Sequence, residues 1–145
     1  MTDVDPSVLA ERLASVQRHL RRVADQLPER PEQLVAESSA SDAVVLHLWQ
    51  AVQITIDLAL SWCVRSGLGA PPTYGDAFRR LAAAGLLEAG LAGRLVRATG
   101  FRNLVVHAYA DLDLARVHEA ATSGPPDLRS FAAALVAAEG VGRRD

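Results

Sequence analysis

Leu9, Leu13, Val16, Leu20, Val23 and Leu27 follow one another at steps of 4, 3, 4, 3 and 4, and among regular structures the α-helix brings all six onto one line. A stripe this narrow belongs to a helix packed along its length against neighbours nearly parallel or antiparallel to it. Asp5 is placed to cap the start, Pro6 to fill the first turn and Pro28 to end the helix. Such an opening commits the chain to helix-on-helix packing. The composition agrees: 50% of the 145 residues are apolar, alanine and leucine dominate, and strand-like alternation is nearly absent. The expected fold is all-α, an up-down bundle of about five to six helices, with residues 1–145 forming one domain and residues 140–145 a polar tail.

The next helical stretch, "SDAVVLHLWQAVQITIDLALSWCVRSG", is apolar nearly all round and should be central, capped by Ser41 and closed by Gly67. Its polar groups His47, Gln50, Gln53, Asp57, Ser61 and Arg65 gather within about a third of the helical wheel, a seam that seldom faces plain core. Thr73 and Asp76 form an approximate capping box for a third helix, which Gly85 ends. A fourth runs through "LLEAGLAGRLVRATGFRNLVVHAY", where Gly90, Gly93 and Gly100 favour a kink or a delayed start. Beyond Asp113, Pro125 and Pro126 predict one broken helix or two short ones.

A net charge of −2 and a pI near 6.1 exert no global pull on phosphate backbones, so any contact with nucleic acid must come from a local cluster. All 15 basic residues are arginine, each a planar, bidentate donor. The single cysteine, Cys63, cannot form an internal disulfide and reads as a packing residue in a reducing compartment. The start has no signal-peptide pattern, and Gln53 and Asp57 interrupt the longest apolar run. A soluble cytoplasmic protein without a membrane span is expected.

Chemistry concentrates in "FRNLVVHAY", residues 101–109. On a helical wheel Phe101, Leu104, Val105 and Ala108 form the core face, while Arg102, Asn103 and His107 lie opposite with Val106 among them and Tyr109 at Arg102's edge. This surface suits an anion. A guanidinium grips two phosphate oxygens, an imidazole moves a proton near neutral pH, and an amide or phenol orients either. Together they make a minimal kit for metal-free phosphodiester cleavage. One histidine cannot easily be both base and acid in one step, whereas a two-fold dimer would bring two to a shared cleft. Val106, apolar amid polar neighbours, favours such a partner. Asp57, an acid in an apolar helix, is a candidate support for Arg102. His19, His47 and His118 lack metal-ligand spacing and read as surface or satisfied core residues, so no metal or cofactor is expected. Arg18, Arg21 and Arg22, with Arg79, Arg80, Arg94 and Arg97, read as solvated faces, those on the cleft side being candidates to grip an RNA backbone.

"GFRNLVVHAYADLD" resembles the signature of the HEPN superfamily, an arginine followed by a polar residue and then, a few residues on, a histidine. "VHAY" is similar to the HepT-like family, ribonuclease toxins encoded beside a minimal nucleotidyltransferase antitoxin. The likeness extends over residues 41–115, through "QITIDLA", "GLGAPPTYGDAF" and "LAAAGLLEAGLAGRLVRATGFRN". The resemblance implies a homodimer with a composite, metal-independent RNA-cleaving cleft. It also implies that Arg102 binds the scissile phosphate, Asn103 orients it, His107 acts as general acid or base, and Tyr109 receives AMP from the antitoxin. The alternatives are a non-catalytic helical module that docks a nucleotidyltransferase or a nucleotide, and a purely structural adapter in which Arg102 is ion-paired and His107 bonded within the bundle.

Overall fold

The computed structural model describes residues 5–140, with the side chains of His107 and Ala108 outside that description. Among the described residues there are five α-helices and two short 3-10 turns and no strand, the all-α bundle that the heptad-like stripe requires. Helix α1 (Pro6–Gln26) starts where Asp5 accepts a hydrogen bond from the Ser7 amide at 2.9 Å. It buries Leu9, Leu13, Val16, Leu20 and Val23. A 3-10 turn, Pro31–Gln33, leads to α2 (Ser39–Arg65). Ser38 rather than Ser41 caps α2: its hydroxyl accepts from the Ser41 amide, while Ser41 is buried and donates back to the Ser38 carbonyl. Glu37, at φ 60°, turns the chain so that the earlier serine reaches the helix mouth. By length and composition α2 is long and apolar enough to cross a membrane, but half of its most apolar window is buried in the bundle. It is the core helix that its sequence suggests.

Helix α3 (Tyr74–Ala83) begins at Thr73, whose hydroxyl accepts from the Asp76 amide, and ends near Gly85 in the left-handed region at φ 78°. Helix α4 (Ala89–Ala108) is continuous through Gly93 and Gly100. Its delayed start has a specific cause, since Glu88 caps it with bonds from the Gly90 and Leu91 amides. A side chain at position 90 would put its Cβ 2.7 Å from that carboxylate, so glycine lets the cap fold over.

A 3-10 turn, Tyr109–Asp111, leads into α5 (Leu114–Glu139), which runs unbroken through Pro125 and Pro126, against the expectation of a break. Each interior proline costs about 3 kcal/mol. That is offset by the buried stripe Val117, Ala121, Pro125, Leu128, Phe131 and Leu135, at roughly 1.5–3 kcal/mol for each large apolar side chain. The Thr122 and Ser123 hydroxyls bond back to the carbonyls of His118 and Glu119, lining the turn just before the proline pair with local partners.

Three aromatic rings tie α2, α3 and α5 together: Phe131 meets Trp62 and Phe78 edge-on, each at 5.8 Å between centroids. Cys63 packs beneath them, its thiol donating to the Ala77 carbonyl and pushed up in pKa by burial. His118 is a satisfied core residue, with Nε2 2.8 Å from the Pro28 carbonyl.

Candidate active site

In the C-terminal half of α4, Arg102 and Asn103 stand side by side on the helix surface, and α2 and α3 fix how Arg102 is held. Arg102 is half-buried and donates from Nε to Gln53 Oε1 on α2 at 2.8 Å. Gln53 in turn donates from Nε2 to Asp57 Oδ1 at 3.1 Å. The two bonds set the amide's orientation, because the guanidinium needs an oxygen and the carboxylate needs an N–H. Asp57 therefore reaches Arg102 through Gln53 rather than by the direct pairing expected of it, and it is exposed rather than enclosed in the apolar helix. A second group on α4 helps: Arg102 Nη1 donates to Asn103 Oδ1 at 3.2 Å. On α3 the Tyr74 ring lies against the guanidinium, 5.2 Å from its carbon to the ring centroid, a favourable cation–π stack.

The consequence is electrostatic. Among the described residues no carboxylate lies within ion-pair distance of Arg102, and its Nη2 has no partner. Amide oxygens and a π-face hold the guanidinium still without cancelling its charge. Three other arginines near the motif behave differently, while Arg97 is exposed with no carboxylate in ion-pair distance among the described residues. Arg79 pairs with Asp76 and Arg94 with Asp127, each at 2.9 Å, and Arg80 donates to the Leu68 carbonyl at 2.7 Å. These are structural ties.

Two hollows flank the arc and divide its residues. Asn103 lines one of about 540 Å³ with Thr73, Tyr74, Gly75, Arg79 and Thr99. Tyr109, 55% exposed, lines another of about 440 Å³ with Leu46, His47, Trp49, Val105 and Val106. The structure thus joins Arg102, Asn103 and, through Gln53, Asp57, and sets Tyr109 in a separate hollow. The His107 side chain lies outside the described residues. Val106 is half-exposed and Val105 buried, as the wheel expects. Phe101 and Leu104 are less fully enclosed, Phe101 packing against the core. They are half-buried and line a cleft of about 660 Å³ between α4 and α5. Small residues on both walls leave that cleft unfilled: at Gly100 and Gly124 nothing lies within 4 Å of where a Cβ would stand.

Among the described residues no group of three or more potential metal ligands occurs. Sequence reasoning missed Gln53 as Arg102's immediate partner and Tyr74 altogether. Gln53 belonged to the polar seam of α2, four residues from Asp57, which is the spacing of a helical pair. Tyr74 gave no signal beyond its place beside the Thr73 cap.

Residues 16–135 match the ribonuclease HepT-like family. The chain belongs to that family. Its sequence is 28% identical over 107 residues, 74% of this chain and 80% of the relative, to the mRNA nuclease HepT of Shewanella oneidensis. Its fold superposes with a TM-score of 0.81 and 26% identity on a tri-AMPylated Shewanella oneidensis HEPN toxin in complex with MNT antitoxin, covering 94% of this chain and 99% of that one. A cytosolic protein of unknown function from Bacillus subtilis, YutE, shares the fold at a TM-score of 0.78 and 15% identity, over 100% and 99% of the two chains. In this HepT-like chain the guanidinium left without a carboxylate among the described residues is that of Arg102, the arginine of the signature that suggested the family.

Proposed function

We propose that this HepT-like chain is a cytoplasmic endoribonuclease toxin that cleaves RNA without a metal, at a cleft completed by a second copy. Arg102 grips the scissile phosphate, Asn103 orients it, and His107 transfers a proton. The ribose 2′-hydroxyl loses its proton to a base and attacks phosphorus in line. The bond to the 5′-oxygen breaks, an acid protonates that oxygen, and a cyclic phosphate remains. Two copies of His107, one from each subunit, supply the base and the acid. The observation that carries this reading is the guanidinium of Arg102, immobilised by Gln53, Asn103 and Tyr74 yet uncompensated by any carboxylate among the described residues.

The partner in this reading is a minimal nucleotidyltransferase that silences the toxin by attacking ATP with the Tyr109 phenol, releasing pyrophosphate and leaving AMP on the ring. Two features favour it: the exposure of Tyr109 and the related toxin, which carries AMP and is complexed with MNT antitoxin. A bulky anion there would repel RNA.

Incubating the purified protein with total RNA in chelator tests the catalytic reading. The wild type should yield fragments with 2′,3′-cyclic phosphate ends, and His107→Ala should yield none while remaining folded and of unchanged oligomeric state. Cleavage by the His107→Ala protein would remove that residue from the mechanism. If the wild type cleaves no RNA yet binds the transferase through Tyr109, the chain is the docking module instead.

A further inference from the structure

Two histidines outside the motif meet in the bundle. His19 on α1 and His47 on α2 approach through their Nδ1 atoms at 2.9 Å, with ring centroids 5.2 Å apart and planes tilted by 34°. These distances describe nitrogens pointing nearly head-on, as in an N–H···N hydrogen bond, rather than lone pairs converging on a common metal. The bond needs one proton between the two Nδ1 atoms, which both the neutral and the singly charged pair provide, and burial with the neighbouring cations favours the neutral one. One ring is then the Nδ1–H tautomer with a bare Nε2, and the other carries Nε2–H.

The surroundings are cationic. Burial foremost holds both imidazoles below their ordinary range, helped at His19 by His47 and by Arg18 and Arg22 on α1, and at His47 by Arg22. Arg18 is engaged by Glu11 at 2.9 Å. Arg22, exposed, has no carboxylate within ion-pair distance among the described residues. On the α2 side His47 lines the 440 Å³ hollow that holds Tyr109, and Asp42 is the acid sharing that hollow. Leu46, Val106 and Tyr109 expose about half of their surface there, at 49%, 48% and 55%. Arg22 stands one helical turn from His19 on α1, and His47 links that pair to the hollow's apolar and aromatic wall, a combination that matches a ligand with a charged head and a flat body.

We propose that Arg22 and the His19–His47 pair form a proton-gated phosphate subsite at the edge of the Tyr109 hollow, taking the phosphate of one nucleotide unit whose base lies against Tyr109 and Leu46. The phosphate arrives at Arg22 and draws one further proton onto the pair. That proton settles on the bare Nε2, so the Nδ1 hydrogen bond is kept, the pair carries one positive charge, and His47 presents its Nε2–H to the anion. Binding is therefore coupled to proton uptake and strengthens as pH falls. The nucleotide belongs to an RNA strand or is free in solution; the chemistry at the subsite is the same. None of this depends on cleavage at Arg102.

Histidine-selective NMR of the full chain, titrated from pH 8 to pH 5, tests the subsite with inorganic phosphate, AMP, and a 2′-O-methyl RNA oligonucleotide that cannot be cleaved. The His19 and His47 titrations should move upward in pH on saturation, and affinity should fall by up to about tenfold per pH unit between the free and bound midpoints, the limit for one linked proton. Arg22→Ala, a surface change, should weaken binding at least fivefold and abolish the movement, and His47→Gln should remove the pH dependence. A response to the oligonucleotide alone identifies an RNA strand as the source, and an equal response to AMP identifies a free nucleotide. Unchanged histidine titrations with all three probes, or an undiminished response in Arg22→Ala, overturn the proposal. Because the oligonucleotide is inert to cleavage, that failure would leave the nuclease reading standing.

Discussion

Arg65, at the end of α2, and Arg102, late in α4, are both largely covered arginines that fasten one helix to another, but by opposite means. Arg65 pairs with the Glu139 carboxylate at the end of α5 and bonds Ser61 on its own helix, so its charge is consumed in closing the bundle. Arg102 is held by the Gln53 amide, the Asn103 amide and the Tyr74 ring, which orient it and leave its charge intact. One fold contains a cation paired with a carboxylate and a cation held without one among the described residues. The partner's chemistry separates them better than burial does.

Removing each guanidinium should break the comparison most sharply. Arg102→Ala should lower RNA cleavage by about a hundred- to a thousandfold, the scale for losing one donor to a transition-state oxyanion. Its stability should fall by only about 1–3 kcal/mol, the scale of one cation–π contact and two hydrogen bonds to partly exposed groups. Cleavage kinetics beside a urea denaturation curve would check this. Equal loss of activity and stability would make Arg102 a structural residue like Arg65.

Gln53→Glu converts one kind of site into the other with almost no change of shape. The new carboxylate would pair with Arg102 as Glu139 pairs with Arg65, while standing four residues from Asp57, a like-charge neighbour on the same helix face. RNA affinity should fall about tenfold as the phosphate competes with an internal anion, expressed chiefly as a higher KM. Gln53→Ala, which frees the guanidinium without neutralising it, should affect kcat more than KM. If the two variants behave alike, charge conservation is not what the amide provides.

How much of this was legible in the residues differs between the fold and the site. The α1 stripe, the Thr73 cap and the Gly85 stop are local signals, and the structure keeps each of them. Where neighbours decide, the sequence was ambiguous. Several serines compete to start α2, and Ser38 prevails because Glu37 turns the chain there. Pro125 and Pro126 oppose a helix that the core demands. In the site, helical phase was enough to put Arg102 and Asn103 on one arc and Val105 inside. The pairing of Gln53 and Tyr74 with Arg102 arises from how α2 and α3 lie against one turn of α4, and no spacing within a single helix encodes it.

Arg65→Ala should have a smaller effect of the opposite kind. Its side chain is 10% exposed and that of Glu139 25%, between the limits of a surface pair and a buried one. A loss of about 1–2 kcal/mol is expected, read as a lower denaturation midpoint, with cleavage per folded molecule unchanged. Glu139→Gln, which keeps an acceptor for the guanidinium, should lose less. A change in cleavage rate with either variant would couple the two ends of the bundle and weaken the contrast between them.

The smallest effect concerns a third fastening, neither ionic nor aimed at the proposed cleavage step: the His19–His47 bond between α1 and α2. Burial foremost, then cationic neighbours, holds both imidazoles below the ordinary value of 6.5 in the folded state. The unfolded chain therefore binds more protons at mildly acidic pH. The stability linked to these groups is fully present above about pH 6.5, falls as pH drops below it, and is lost once the folded pair titrates. The urea midpoint of the wild type should decline between pH 7.5 and pH 5, and the decline should be shallower in a His19→Gln, His47→Gln double variant, which retains a side-chain hydrogen bond but cannot charge. The carboxylate caps Asp5, Asp76 and Glu88, held below their ordinary range chiefly by hydrogen bonds, lose their contribution only at more acidic pH and would not mimic this. Parallel pH profiles for the two proteins would mean that the pair is as easily protonated in the bundle as in the open chain, and that α1 and α2 are joined there by packing alone.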